Sequence, residues 1–194
     1  MNDSERAIRQ RLKDDFAHYA LKCLKIQPKS GGLVPLALNP TQLAVHAALE
    51  RQLAETGMVR AIILKARKQG VSTYYEARAF HRVTHHHGLR AKVVAHQADS
   101  TKEIFEMVRR FYANLPASVK PAVERNSLRE LKFRRLDSFM SVSTAGSDDV
   151  GRGGTPHILH ASEFGVWRNA KDHRSGIMES VADEPGTEIV IEST

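Results

Sequence analysis

The stretch MVRAIILKARKQGVST, residues 58–73, decides the fold of this 194-residue chain. It opens on a short apolar run, VRAIILK, whose length and composition are typical of a buried parallel strand. Basic residues and a glycine follow, and a mixed apolar and polar run then continues to His87. The stretch therefore predicts a strand, a tight loop and a helix in succession.

The same alternation continues after this stretch. AKVVAH, residues 91–96, predicts a second strand, and Ser100 to Glu103 has the spacing of a capping box that opens a helix. The apolar residues of that helix share one face: Ile104, Met107, Val108 and Phe111. Strands that alternate with helices predict an α/β fold with a parallel sheet.

The C-terminal third predicts more strands. ELKFRRL and SFMSVST read as two short strands that form a hairpin around Asp137. HILHA and residues 188–191 predict two further apolar strands, with a helix over residues 171–181 between them.

The N-terminal 38 residues predict a helical extension of this core. Residues 4–26 carry apolar side chains at three- and four-residue spacing, which predicts one amphipathic helix with Ile8, Leu12, Phe16, Tyr19 and Cys23 on a shared face. The linker up to residue 38 is turn-rich, and Asn39 with Pro40 suits the start of a second helix that ends near Gly57. We assign residues 1–38 to this extension and residues 39–194 to the core.

Composition narrows the function classes. No apolar run approaches the roughly 18 residues of a membrane span, and the charged N-terminus lacks the features of a secretory signal. Cys23 is the single cysteine, so an intrachain disulfide is excluded and a reducing cytoplasm is expected. Lys and Arg outnumber Asp and Glu by 29 to 22, a net charge of +7 that favours a polyanionic partner such as nucleic acid.

The loop after the first strand resembles a phosphate-binding motif. Against the pattern GxxxxGK[ST], Gly70 takes the second glycine and Ser72 the hydroxyl that ligates magnesium. Two positions depart from the pattern, because Lys65 replaces the first glycine and Val71 replaces the lysine. Several cations at a helix N-terminus are unfavourable unless an anion binds there, which favours a phosphate site over a solvated basic turn.

An acidic residue follows the predicted strand HILHA. Glu163 lies just beyond the carboxyl end of that strand, where open parallel sheets bind ligands. A glutamate at this place can polarise a water for attack on a γ-phosphate, and the alternative is a surface glutamate without such a role. The preceding residue, which is commonly an aspartate that holds magnesium, is Ser162.

Taken together, these segments resemble the large terminase subunit of tailed bacteriophages in order and spacing. LNPTQ is similar to the adenine-binding segment of that family, KARKQGVST to its variant Walker A motif, and ILHASEF to its Walker B motif. The stretch VVAHQADSTKEIFEMVRRFY resembles the intervening strand and helix, and ADEPGTEIVIEST ends in what looks like the coupling motif. The resemblance implies a P-loop NTPase fold of the additional-strand, RecA-like type, with helices flanking a mainly parallel sheet.

The resemblance also implies roles for individual residues. Gln42 would contact adenine, Glu163 would be the catalytic carboxylate, and Ser193 and Thr194 would sense the γ-phosphate. Arg152, in DDVGRGG, would act as an arginine finger on a neighbouring subunit's nucleotide, the alternative being a solvated arginine in a glycine-rich loop. The triphosphate would lie on Lys65, Arg67, Lys68, Gln69, Gly70, Val71, Ser72 and Thr73.

The departures from the common motifs shape the expected magnesium site. In some family members the lysine lies at the start of the loop, so Lys65 would substitute for the lysine absent at position 71. Mg²⁺ would be held by Ser72, phosphate oxygens and water, with Ser162 acting through a water. We expect weaker metal binding than an aspartate would give.

The implied function is an ATPase motor that uses ATP and Mg²⁺ to drive double-stranded viral DNA into a procapsid. Implied partners are the portal protein, the small terminase subunit and copies of the chain in a homo-oligomeric ring, in the cytoplasm of the infected bacterium and without a membrane. The nuclease half is missing and the chain ends at Thr194, so we expect weak ATPase activity from it alone. Two alternatives remain: a nucleotide- or DNA-binding module without turnover, and a helicase-like ATPase.

Three other groups of residues favour structural roles. His85, His86 and His87 are consecutive, so they point in different directions and cannot all bind one metal ion, and a solvated helix end is the expectation. Phe164 and Trp167 are expected to pack against the sheet rim rather than on a base. A solvated face is the expectation for the basic run of Lys120, Arg125, Arg129, Lys132, Arg134 and Arg135.

Overall fold

The computed structural model describes residues 2–146, 154–167, 176 and 178–194. The helices are α1 (Asp3–Asp14), α2 (Phe16–Cys23), α3 (Pro40–Thr56), α4 (Val71–His85) and α5 (Ala98–Ala113). The strands are β1 (Lys25–Ile26), β2 (Val34–Pro35), β3 (Val59–Leu64), β4 (Arg90–Ala95), β5 (Val123–Asn126), β6 (Glu130–Phe133), β7 (Ser138–Thr144), β8 (Ile158–Ala161) and β9 (Glu188–Ser193). A short 3₁₀ turn covers Phe164–Val166. No helix in the described part of the chain is long and apolar enough to cross a membrane.

The main sheet has seven strands in the order β3-β9-β8-β4-β7-β6-β5. The pairs from β3 through β7 are parallel, whereas β7-β6 and β6-β5 are antiparallel. Strand β9, the last in sequence, lies between the strand that precedes the phosphate loop and the strand that precedes Glu163. This inserted strand confirms the predicted additional-strand P-loop fold, with helices packed on a mainly parallel sheet.

Local sequence explains the boundaries of α3. The Asn39 side chain accepts a hydrogen bond from the backbone N–H of Gln42, and the Gln42 side chain accepts one from the backbone N–H of Asn39, which forms a capping box. Pro40 occupies the first turn, and Gly57 ends the helix in the left-handed conformation at φ 75°. The predicted start and end of this helix are both confirmed.

The single N-terminal helix predicted over residues 4–26 is wrong. Asp15 has an extended backbone and separates α1 from α2, and its side chain accepts a hydrogen bond from the N–H of His18. An aspartate is a better cap than an interior helix residue, which explains the break. Ile8 is consequently exposed, although Leu12, Phe16, Tyr19 and Cys23 are buried as expected.

Three further expectations are revised or stay open. The capping box at Ser100 is wrong, because α5 begins at Ala98 after Gln97, which makes no side-chain cap. Strand β5 was not predicted, and it extends the expected hairpin around Asp137 into three antiparallel strands. The helix over residues 171–181 falls largely outside the described residues and stays a prediction.

The apolar core lies on both faces of the sheet. Alternate residues of the strands point to opposite sides, so Val93 and Ile158 join one hydrophobic cluster while Val94 and Leu159 join the other. The larger cluster contains α4, α5 and the N-terminal helices, and the ring of Phe16 meets that of Tyr74 at 5.6 Å. The N-terminal extension therefore shares the main core.

A buried ionic cluster fixes the start of β9 to α4. The carboxylate of Glu188 is fully buried and accepts hydrogen bonds from the Tyr75 hydroxyl and from Arg78, with a further ion pair to Arg82. Burial raises the pKa of Glu188, but the guanidinium groups of Arg78 and Arg82 outweigh it and lower that pKa to about 2. The carboxylate is therefore ionised at neutral pH and stabilises the fold.

We predict that Glu188→Gln lowers the free energy of unfolding at pH 7 by about 3–5 kcal/mol, because it leaves two guanidinium groups beside a neutral amide. A carboxylate whose pKa is depressed from 4.5 to about 2 stabilises the fold above pH 4.5 and loses that effect as pH falls towards 2. The difference in the free energy of unfolding between the parent and Glu188→Gln should therefore decrease as the pH falls from 4.5 to 2.

Urea unfolding at pH 7 and pH 3 measures both effects. The control is Glu184→Gln, an exposed glutamate in the loop before β9, which should leave stability nearly unchanged. Equal stability of Glu188→Gln and Glu184→Gln at pH 7 would show that the cluster contributes nothing.

Candidate active site

The predicted site residues meet at one edge of the main sheet. In the parallel register Leu64 lies opposite Ser193, and Ala161 lies opposite Ile191. Because carboxyl ends of parallel strands share an edge, the residues that follow β3, β8 and β9 are neighbours there. The loop of residues 65–70 and the N-terminus of α4 close the same edge.

The loop has the backbone geometry of an anion cradle. Lys68 and Gly70 both adopt left-handed conformations, at φ 65° and φ 75°, and Gly70 is the N-cap of α4. No side chain caps that helix, so the positive end of its dipole and its first N–H groups face the loop. Arg67 and Lys68 are exposed at the same place, which adds positive charge.

Helix α3 braces the loop through three side chains. The Gln42 amide donates to the Gly70 carbonyl at 2.7 Å, the Asn39 amide donates to the Gln69 carbonyl at 3.1 Å, and the Thr41 hydroxyl donates to the Gln69 side chain at 3.1 Å. Gln42 is only 4% exposed, and its amide oxygen also accepts the capping-box hydrogen bond from the backbone N–H of Asn39. The structure thus places Gln42 beside the loop, and its contact with adenine stays a prediction.

Lys65 reaches the centre of the site from the end of β3. Its ammonium group lies 2.8 Å from one carboxylate oxygen of Glu163 and 4.0 Å from Glu192. The Lys65 side chain is 8% exposed. The lysine displaced to the start of the loop is therefore close to the acidic residue after β8.

The backbone conformation of Glu163 places its carboxylate beside Lys65 at the start of the loop. Glu163 follows β8 in the left-handed conformation at φ 52°, which few residues other than glycine adopt. Burial raises the pKa of its carboxyl group, but hydrogen bonds from Lys65 and Thr194 outweigh this and lower it. An ionised carboxylate at this place can accept a proton from a water molecule.

The end of β9 contacts the residues that follow β8. The Thr194 hydroxyl donates to the second carboxylate oxygen of Glu163 at 3.0 Å, and the Ser193 hydroxyl accepts from the backbone N–H of Gly165 at 3.2 Å. The two residues predicted to sense the γ-phosphate thus touch the predicted catalytic carboxylate and its loop.

Sequence reasoning missed Glu192, a fully buried carboxylate at the centre of this edge. One of its oxygens accepts hydrogen bonds from the hydroxyls of Ser72, at 2.5 Å, and Ser162, at 3.0 Å. Both residues were predicted near magnesium, and the structure joins them through this carboxylate. The signal was present in the sequence, since Glu192 is an acidic residue at the end of the buried apolar run IVI.

Glu192 belongs to a buried charged group with His160 and Glu76. The imidazole of His160 lies 2.6 Å from Glu76 and 3.6 Å from Glu192. Burial lowers the pKa of His160, but the two carboxylates outweigh it and raise it to about 9. Burial raises the pKa of Glu192, whereas His160, the Ser72 hydroxyl and Lys65 together lower it to about 2.

A cavity of about 340 Å³ opens beside these groups. It is lined by Lys65, Arg67, Lys68, His96, Glu163, Val166 and Thr194. Val71 is buried in the first turn of α4, and Thr73 is half-buried one position past Ser72. Arg152, the predicted arginine finger, lies outside the described residues.

The aromatic and basic residues given structural roles take those roles, whereas His85 and His86 are half-buried and do not form the solvated helix end expected from the sequence. Trp167 is buried, donates its indole N–H to the Ser162 carbonyl at 2.9 Å and packs on Phe164. Arg125 and Lys132 pair with acidic neighbours on the β5-β6 hairpin. In the described part of the chain no group of three His, Cys, Asp or Glu side chains could hold a metal ion.

Sheet order and loop geometry together define the class, an additional-strand P-loop fold. Within that class the chain has the fold of large terminase ATPase domains. It superposes on the large terminase of bacteriophage HK97 with a TM-score of 0.76 and 16% identity, over 94% of this chain and 37% of that one. For the large terminase ATPase domain of Thermus phage P74-26 the TM-score is 0.61 with 19% identity, over 79% of this chain and 64% of that one.

A mutant of the same Thermus phage domain gives a TM-score of 0.60 with 20% identity, over 80% of this chain and 64% of that one. The chain thus spans less than two thirds of each of these structures. No protein-family model and no curated protein sequence matches the chain. At these identities the likeness establishes the fold.

We predict that Gly70→Ala destabilises the protein more than Gly88→Ala does. Both glycines have a positive φ, so alanine at either position costs about 1–2 kcal/mol of backbone strain. A methyl group on Gly70 would lie 2.8 Å from the Gln42 amide nitrogen, whereas one on Gly88 would meet nothing within 4 Å. Displacing the Gln42 amide should cost about 0.5–1.5 kcal/mol more, the contribution of its hydrogen bond.

Urea unfolding of Gly70→Ala and Gly88→Ala measures the difference between their losses of stability directly. Repeating Gly70→Ala in a Gln42→Ala background should remove the extra loss, since the obstructing amide is then absent. Equal losses for Gly70→Ala and Gly88→Ala would show that α3 does not brace the loop.

Proposed function

We propose that this chain is the ATPase motor domain of a phage DNA-packaging terminase, which hydrolyses ATP to move double-stranded DNA into a procapsid. The observation that carries the proposal is that Lys65, Ser72 and Glu163 lie close together around one loop. Lys65 contacts Glu163 directly, and both Lys65 and Ser72 lie beside Glu192. These residues supply a phosphate cation, a metal-ligating hydroxyl and a carboxylate for water activation. The fold shared with large terminase ATPase domains supports the same assignment.

The triphosphate binds where the backbone and side chains are both positive. The N–H groups at the uncapped start of α4 bind phosphate oxygens, and Lys65, Arg67 and Lys68 neutralise their charge. Residues 69–73 form the cradle, and Gln42 contacts adenine from the start of α3. The net charge of +7 suits a DNA partner as well as a nucleotide.

The donor atoms on this edge fit a magnesium ion. The hydroxyl of Ser72 and the carboxylate of Glu192 are hard oxygen donors, and one oxygen of Glu192 is buried without a hydrogen-bond partner. Too few acidic side chains are present among the described residues to hold the ion by themselves, so phosphate oxygens complete its shell and Ser162 acts through a water. Bound magnesium would neutralise charge on the phosphates.

Glu163 performs the proton transfer of the proposed reaction. When ATP binds, Lys65 exchanges its contact with Glu163 for the phosphates, which leaves the carboxylate free to orient a water. The water oxygen forms a bond to the γ-phosphorus, its proton passes to Glu163, and the bond from that phosphorus to the ADP oxygen breaks. Arg152 of a neighbouring subunit stabilises the charge that develops on the phosphoryl group.

The contacts of Ser193 and Thr194 support a link between hydrolysis and movement. Both hydroxyls touch the segment that carries Glu163, so loss of the γ-phosphate alters their hydrogen bonds and shifts the end of β9. In the proposed assembly, a ring of these chains works with the portal protein and the small terminase subunit in the cytoplasm of the infected bacterium.

The Lys65 to Glu163 ion pair favours one other function, a nucleotide- or DNA-binding module without turnover. If the pair persists when ATP binds, neither the cation nor the base is available for catalysis. Release of phosphate from ATP, with and without DNA, separates the two functions.

We predict that Lys65→Ala weakens ATP binding about tenfold or more, because a hydrogen bond to a charged group contributes about 1.5–3 kcal/mol. Lys68→Ala is the matched control, since Lys68 lies in the same loop but is exposed and makes a smaller contribution. Calorimetric titration with ATP gives both affinities. Equal and negligible effects would remove Lys65 from the phosphate site.

Glu163→Gln should retain nucleotide affinity and lose hydrolysis by about 10²–10⁴-fold, because it removes the general base and leaves the phosphate contacts in place. The measurement is phosphate release at protein concentrations that allow subunits to assemble, together with nucleotide affinity. A variant that turns over ATP like the parent would make Glu163 a structural residue.

A further inference from the structure

Glu192 occupies a place where a carboxylate is costly. It lies in β9 between two parallel strands, and its side chain is fully buried. Transfer of an ionised carboxylate into such surroundings is unfavourable unless cations or hydrogen-bond donors compensate it. An apolar residue would fit the strand at lower cost, so the position calls for a specific role.

The contacts of Glu192 match those of a carboxylate that supports a cation. A single oxygen accepts the protons of both Ser72 and Ser162. A hydroxyl that gives a lone pair to a metal ion must direct its proton to an acceptor, and Glu192 is that acceptor for Ser72. The P-loop fold commonly fills this role with an aspartate at the position that is Ser162 here.

The other oxygen of Glu192 supplies an independent indication. It is buried, has no hydrogen-bond partner and lies 4.0 Å from the Lys65 ammonium group, on the side of the phosphate loop. Buried carboxylate oxygens are rarely left without a partner, so this oxygen is available to ligate a cation.

Pairing with His160 accounts for only part of the surroundings of Glu192. Glu76 already contacts that imidazole at 2.6 Å, whereas Glu192 lies 3.6 Å away, beyond hydrogen-bond distance. Glu76 therefore takes the closer contact with the imidazole, and the hydrogen bonds specific to Glu192 are those from the hydroxyls of Ser72 and Ser162.

We propose that Glu192 is the carboxylate that anchors Mg²⁺ together with Ser72, in place of the aspartate that the fold usually carries at position 162. The anchoring carboxylate thus lies on the neighbouring strand β9 instead of at the position that follows β8, and Ser162 serves as a donor to it. This inference rests on the proposed nucleotide site, and it assigns the metal to a residue outside both nucleotide-binding motifs.

The test is the coupling between metal and nucleotide. An ATP analogue with a β,γ-imido bridge is titrated calorimetrically into the protein in Mg²⁺ and in EDTA, and the ratio of the two affinities is compared between variants. Glu192→Gln should reduce that ratio by about 10- to 100-fold while leaving affinity in EDTA nearly unchanged, because only the metal contact is lost. A merely structural role would lower both affinities together.

Glu76→Gln is the matched control, since Glu76 is equally buried and also contacts His160, whereas the Ser72 hydroxyl donates to Glu192. It should leave the ratio unchanged. The second variant is Ser162→Asp combined with Glu192→Gln, which returns a carboxylate to the position after β8 and should restore the ratio. Circular dichroism melting shows that each variant is folded.

A folded Glu192→Gln protein with the parent's ratio would overturn the inference. If Glu192→Gln does not fold, a folded double variant that lacks metal coupling would overturn it as well, and one that has coupling supports it. Failure of the parent to bind the analogue in either condition would contradict the proposed function itself, an outcome distinct from unchanged coupling in Glu192→Gln.

Discussion

The insertion of β9 between β3 and β8 is the constraint on which the rest of the structure depends. Parallel pairing fixes its register on both sides, with Leu64 opposite Ser193 and Ala161 opposite Ile191. As a result the residues that end three strands lie within hydrogen-bond distance of one another. A shift of β9 by one residue would turn Glu192 to the other face of the sheet and separate it from Ser72.

Strand β9 carries a buried carboxylate at each end, and the two are compensated differently. Glu188 is held by two guanidinium groups and a tyrosine hydroxyl, so its charge is balanced within the fold. Glu192 is held by hydroxyls and a shared imidazolium, with one oxygen free of hydrogen bonds. The first arrangement stabilises the structure, whereas the second is suited to receive a ligand.

The phosphate loop combines a rigid brace with exposed cations. Three side chains from the start of α3 bond to residues Gln69 and Gly70, which fixes the loop backbone before any ligand arrives. Arg67 and Lys68 remain exposed, while Lys65 is held by Glu163. In the proposed nucleotide site, binding of a phosphate would therefore require little rearrangement of the backbone and one exchange of partners by Lys65.

Sequence by itself determined the parallel strands of the main sheet, the loop and most of the helices, because periodicity, caps and glycine positions act over a few residues. It predicted α3 from Asn39 to Gly57, and the resemblance to large terminases implied that Lys65, Ser72 and Glu163 belong to one site. It failed at Asp15, where a local cap competes with helical periodicity, and at Ser100, where the helix starts before the motif. Only the tertiary structure decided that β9 lies between β3 and β8, and hence that Glu192 meets Ser72 and Ser162. That contact joins residues 30 and 120 positions apart in the chain, and strand order over such separations leaves no mark in local spacing.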